Sequence, residues 1–164
     1  MPELQQLDAR HAPAVLAFEL ANRAYFAASI SDRGDAYFEH FDEGFGALLA
    51  EQEAGISAFH VVVAEDGSVL GRFNLYDMED GAAELGYRVA QDAAGRGLAS
   101  ATVRELCLLA ATRHHLRTLR AGTSPLNVAS RKVLANAGFV PAPAPPGRER
   151  SLWFRRDLPG DTTH

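Results

Sequence analysis

Along LDARHAPAVLAFELANRAYFA the apolar positions keep a helical period, which predicts a helix with Pro13 in its first turn that runs to about Phe26. SISDRG breaks the pattern. A second helix is predicted from about Asp35, where Tyr37, Phe38, Phe41, Phe45, Leu48 and Leu49 fall three and four apart, and Gly55 supplies its cap. The period then changes. AFHVVVAE is β-branched and apolar, VLGRFNLYDM alternates and AELGYRVA follows, with DGS and EDGA between them as turns, so an antiparallel meander is expected. From 97 to 115 a stripe of Ala99, Val103, Leu106, Cys107 and Ala110 predicts a helix. RTLRAGT predicts a short strand, LNVASRKVLANAG a helix closed by Gly138, and SLWFRRDL a last strand after the proline-rich loop VPAPAPPGR.

The order helix, helix, three strands, helix, strand, helix, strand implies an α/β (α+β) fold. Its central sheet should be mixed and largely antiparallel, with helices on both faces. A chain of 164 residues, 47% of them hydrophobic, suits one sizeable core, so we expect a single domain over residues 1–164. The first residues, MPELQQLDARH, carry no basic and apolar leader, and no stretch approaches the roughly 18 apolar residues of a membrane span. A cytoplasmic protein without a membrane partner is expected. Cys107 cannot make an internal disulfide and has no Cys or His partner at ligand spacing, which favours an apolar helix position over a metal or redox site.

The net charge of −5 conceals an asymmetry: residues 106–148 contain no acid but hold Arg113, Arg117, Arg120, Arg131, Lys132 and Arg148. Such a window suits an anionic ligand, or merely solvated helix faces. The pI of 5.6 argues against nucleic acid. A specific anion site is suggested by AQDAAGRGLASATVRELCLLA, in which small residues open a helix. Helix N-termini present N–H groups without intrahelical partners, and Ala93, Ala94, Gly95, Gly97 and Ala99 would let a diphosphate approach the backbone while Arg96 adds a cation. Gly95, Gly97 and Ser100 imitate a dinucleotide fingerprint, but Arg120 stands where its acid is needed. A plain strand-to-helix turn is the alternative.

AAGRGLAS, preceded by AELGYRVA and followed by NVASRKVLANAGF, resembles the acetyl-CoA loop and second cofactor helix of the GNAT superfamily of acyltransferases, closest to its RimJ/RimL-like branch. Asn127, Ser130, Leu134, Gly138 and Phe139 match the helix spacing of that branch, ANRAYFA in the first helix is also similar to it, and the resemblance covers about residues 14–158. It departs at Ala94, which takes the place of a long polar residue. The resemblance implies N-acetyl transfer from acetyl-CoA to a primary amine by direct attack in a ternary complex, without a metal. It also implies acceptor-side helices over about 1–55 and the sheet and acetyl-CoA site over about 57–158. The cofactor-binding residues would be Val89, through its backbone, with Gly95, Arg96, Gly97, Leu98, Ala99, Ser100 and Asn127.

Direct transfer needs a group to take the amine proton and one to protonate the departing thiolate. Glu84 is the first candidate base, a carboxylate flanked by apolar Leu85 and Val89; the competing reading is an ion pair with Arg72 or Arg88. Ser130 could protonate the thiolate or bond the pantetheine arm, or simply cap its helix, and Asn127 carries the same ambiguity. Tyr87 is an alternative acid, although alternation puts it on the other face of the strand from Glu84 unless Gly86 marks a bulge. His114 and His115 are expected to close a helix and His60 to sit in the core. Tyr25, Phe26, Tyr37 and Phe41 are expected in the core, near the acceptor side by resemblance. The acceptor could be a peptide α-amine, as we favour, or a polyamine, amino acid or antibiotic; Asp77, Glu79, Asp80 and Glu84 could attract a cation or be solvated. A non-catalytic acyl-CoA sensor and a nucleotide-binding module are the rivals. A monomer or homodimer is compatible with the sequence.

Overall fold

Seven strands, β1 (Glu3–Gln6), β2 (Ala58–Val63), β3 (Val69–Glu79), β4 (Ala82–Val89), β5 (Thr118–Thr123), β6 (Val140–Ala142) and β7 (Leu152–Asp157), form one sheet in the computed structural model. The model describes residues 1–159, so positions 160–164 of the expected domain lie outside the described residues. The strand order is β1-β2-β3-β4-β5-β7-β6. β1 pairs antiparallel with β2, β4 parallel with β5, and β7 antiparallel with both β5 and β6, which makes the sheet mixed and largely antiparallel. Six helices accompany it: α1 (Ala12–Ala21), α2 (Arg23–Ala27), α3 (Asp35–Glu39), α4 (Phe41–Glu53), α5 (Leu98–Thr112) and α6 (Val128–Asn136). The chain divides into two compact units, one of residues 1–74 and 87–94, the other of 75–86 and 95 onward.

In the first unit the expected helix to Phe26 is two helices, α1 and α2. Asn22 explains the break: its side-chain amide donates to Phe18 O at 2.9 Å, competing with the backbone ladder, while its Oδ1 accepts from Gln91 N at 2.9 Å. The second expected helix is likewise parted at His40, whose φ and ψ of −111° and 30° leave the helical region. β1 is absent from the sequence reading because ELQQ offers a single apolar residue and no alternation; it is an edge strand. β2 is buried along most of its length. Phe59, Val61 and Phe73 join Val15, Phe18, Phe26, Phe41 and Phe45 in the core of this unit.

Glu19 of α1 lies in that core, 1% exposed. Its Oε1 accepts from Arg33 Nε at 2.9 Å and its Oε2 from Arg72 Nη1 at 2.8 Å, with Arg88 Nη1 at 3.6 Å from Oε1. Burial pushes the Glu19 carboxyl up, but the hydrogen bonds and charges of Arg33 and Arg72 outweigh it and hold the group below its ordinary range. Arg72 and Arg88, the partners offered above for Glu84, are therefore both drawn to Glu19 instead.

In the second unit Asp80 and Gly81 turn the β3–β4 hairpin with φ of 53° and 77°. Positive φ at both central positions is what a two-residue hairpin of the I′ kind requires. The chain then crosses through α5 to β5; the N–H groups of Arg117, just before the strand, and of Thr118, its first residue, bond Gly81 O and start the parallel ladder. The second crossover does not repeat this. After α6, β6 turns back and β7 inserts between β5 and β6, antiparallel to both. β6 lay within the expected proline-rich loop; Pro141 is tolerated because an edge strand needs no donor on its open side.

Gly122 of β5 faces Trp153 of β7, and a Cβ on Gly122 would stand 2.8 Å from the indole. Trp153 is 4% exposed and is the only tryptophan of the chain. Gly122→Ala is therefore expected to destabilise the protein by about 1–3 kcal/mol through overpacking, with a shift in tryptophan emission at the same time. Unchanged melting and emission would mean that the ring moves aside freely.

Candidate active site

Residues 91–100 join β4 to α5. A single 3₁₀ turn, Gln91–Ala93, is tied by Gln91 N to Asn22, after which Ala94 is extended. Gly95 and Gly97 follow at φ of 76° and 79°, and a Cβ at either position would meet open space. The backbone conformation, not crowding, thus calls for glycine here. Gly97 is the N-cap of α5 in the left-handed region, with no side-chain cap and no acid in the first turn. Leu98, Ala99 and Ser100 occupy that turn, half-buried, and Arg96 is exposed beside it. Such an N-terminus presents the partial positive charge and directed N–H groups that bind a diphosphate. Ala94 adds no polar contact.

Glu84 is the last residue of β4 that pairs with β5, opposite Arg120. Its carboxylate is 35% exposed, and Oε1 accepts from Arg148 Nη1 at 3.0 Å. The apolar surroundings expected from Leu85 and Val89 are thus replaced by a guanidinium. Asp77, Glu79 and Asp80 are exposed on the hairpin. Tyr87 stacks on Phe73, ring centroids 5.4 Å apart and planes at 9°. By strand parity it faces away from Glu84.

Asn127 caps α6: its Oδ1 accepts from Ser130 N at 3.0 Å. The cap is therefore Asn127, not Ser130, whose half-buried side chain lies in the first turn. α5 packs against α6, which brings two helix N-terminal regions into the same unit. Cys107 is buried on α5, and burial pushes its thiol up, so it carries no thiolate for covalent transfer. The helix ends at Thr112, before His114 and His115; burial, helped by Arg113, lowers His114 and keeps it neutral. His60 is buried in β2, Nδ1 3.2 Å from Phe73 O. Among the described residues no group of three or more His, Cys, Asp or Glu could hold a metal, and no helix is long and apolar enough to cross a membrane.

A family model matches most of the chain. Residues 3–140 match the acetyltransferase (GNAT) domain. The chain belongs to the GNAT acetyltransferase family. It is 34% identical over 89 residues to an uncharacterized N-acetyltransferase, p20, of Bacillus licheniformis; the match covers 53% of this chain and spans half, 50%, of that relative. Solved structures share the fold. The ribosomal-protein-S5-alanine acetyltransferase of Vibrio fischeri has a TM-score of 0.85 at 19% identity, covering 95% of this chain and 92% of its own. RimJ of Mycobacterium smegmatis, in complex with CoA-disulfide, has 0.81 at 23%, covering 94% and 80%. Spermidine N-acetyltransferase of Vibrio cholerae, in complex with CoA and spermine, has 0.75 at 14%, covering 96% and 95%.

Two features of this GNAT domain escape a sequence reading. Arg148 meets Glu84 across 64 positions of chain, which no local pattern encodes. Glu19 had a signal: it stands beside Phe18 and four residues after Val15, on the apolar stripe of its helix, where a charge requires a buried partner.

Proposed function

We propose that this protein transfers the acetyl group of acetyl-CoA to a primary amine in one ternary complex, and that the acceptor is a peptide α-amine. The observation that carries the reading is the uncapped, glycine-opened N-terminus of α5 within the segment that the family model matches. Leu98, Ala99 and Ser100 bind the diphosphate through their N–H groups, Arg96 adds a cation, and Asn127 meets the pantetheine arm. The amine nitrogen attacks the thioester carbonyl carbon. A C–N bond forms, the C–S bond breaks, Glu84 takes the amine proton, and Ser130 returns one to the sulfur. The whole chain acts as one catalytic domain.

The acceptor choice rests on charge. A polyamine would need several carboxylates near the base, whereas Glu84 is already paired with a cation and the remaining hairpin acids are exposed. The neighbours whose names specify ribosomal-protein and spermidine acetylation fit both acceptor classes, so the test compares them.

Thermal unfolding with acetyl-CoA, CoA, NAD and ATP comes first. Ligand at about 100 times its dissociation constant stabilises by roughly 2.7 kcal/mol, a shift on the order of 5–10 °C at this size. Only the CoA compounds are expected to raise the midpoint. Release of free CoA thiol is then followed with unblocked peptides, spermidine and amino acids. Faster release with spermidine moves the acceptor to the polyamines; a CoA shift without release to any amine means an acyl-CoA sensor.

A further inference from the structure

We propose that Arg148 is the positioning residue of Glu84: it holds one carboxylate oxygen and turns the other toward the acceptor amine. This deepens the assignment of Glu84 as general base and rests on it. Arg148 Nη1 donates to Oε1 alone, 3.0 Å away, and no hydrogen bond among the described residues engages Oε2. A carboxylate on a strand end turns about its own side-chain torsions, and a proton can be taken only along a lone-pair direction. One fixed oxygen removes that freedom. The amine proton then passes to Oε2, the oxygen that Arg148 leaves open.

Arg148 is itself mounted at both ends. Its backbone carbonyl accepts the indole N–H of Trp153 at 3.0 Å, and its guanidinium lies over the Trp153 ring, 4.6 Å from the centroid. The indole is seated against Gly122. The turn that carries Arg148 is closed by Arg148 N to Pro145 O at 3.0 Å, with Gly147 at φ 81° and its N–H bonded to Glu149 Oε1. Ion pairing alone needs none of this. Glu84 also has Arg120 opposite it in the ladder, yet it takes the guanidinium delivered from the far loop. The planar fork of an arginine can stack on the ring and donate in its own plane at once, which an ammonium cannot do.

The test is a double-mutant cycle on the full chain, with acetyl-CoA and the best acceptor of the panel above. Arg148→Gln is expected to lower kcat roughly tenfold, the cost of a misplaced reacting group, while KM for acetyl-CoA stays within about twofold. Arg148→Lys restores part of the loss, because charge returns without the stack. In a Glu84→Gln background Arg148→Gln changes kcat by less than about twofold, since residues that act as a unit are not additive. Equal losses in both backgrounds, or no loss in the native one, would overturn the role of Arg148 and leave Glu84 as base. If Glu84→Gln keeps full turnover, or no amine is acetylated, the base assignment fails and this inference with it. Because Arg148 is 53% exposed, folding is retained in each variant, and melting temperature with tryptophan emission verifies it.

Discussion

Glu84→Gln is expected to lower kcat by about 10²- to 10⁴-fold, the range that a positioned general base contributes. Acetyl-CoA affinity and the thermal midpoint should both be retained. The reasons are local. In the proposed site the cofactor is held by backbone groups at the N-terminus of α5, whereas Glu84 is on β4, partly exposed, and makes one ion pair at the surface, whose loss costs about 0–1 kcal/mol. The substitution keeps the shape of the side chain and removes its capacity to accept a full proton. Single-turnover acetyl transfer to a peptide, with acetyl-CoA affinity measured by titration, separates the two quantities. Equal turnover of variant and native protein at every pH would remove Glu84 from the chemistry, and weakened acetyl-CoA binding would give it a cofactor role instead.

The largest effect on stability is expected at Glu19→Gln. Taking the charge from Glu19 leaves Arg72, 5% exposed, without its carboxylate and removes the common partner of Arg33 and Arg88. Breaking a buried pair costs about 3–5 kcal/mol, which lowers the midpoint on the order of 10 °C. The dependence on pH has a definite sign. The folded Glu19 carboxyl lies below its ordinary value of 4.5, so its stabilisation is fully present above that value and is lost as pH falls through the folded one. Native protein should therefore melt progressively lower under acid, and the gap to Glu19→Gln should narrow over the same window. Comparing the two proteins cancels the other carboxylates that titrate there. A gap of constant size down to the acid limb would mean that the cluster does not stabilise through charge.

What could be read in advance was whatever has a local period. The meander of β2, β3 and β4 is written in alternation and in the DG turns, and α5 in a stripe that buries Val103, Leu106 and Cys107. The breaks at Asn22 and His40 were hidden because apolar spacing runs across both of them while a side chain or a single backbone angle decides. β1 and β6 are made by their partners: neither ELQQ nor VPA has strand character of its own. The site divides in the same way. The α5 loop and the Asn127–Ser130 turn are contiguous and recognisable, but the ion partner of Glu84 is chosen by the path of a distant loop, and Arg72 and Arg88 were drawn away by a carboxylate from the first helix.

The insertion of β7 between β5 and β6 has a consequence for the order of assembly. As the chain leaves the ribosome, β6 is made before β7, the strand it pairs with, and β5 has one flank open. Exposed strand flanks are templates for wrong pairing, and domains are vulnerable while such edges wait. Arrival of β7 closes both at once and seats Trp153 against Gly122. The same event sets Arg148 over the indole and so brings it to Glu84. A nascent chain stalled before residue 152 would thus hold every residue of the glycine-opened helix and still lack the indole on which Arg148 is mounted.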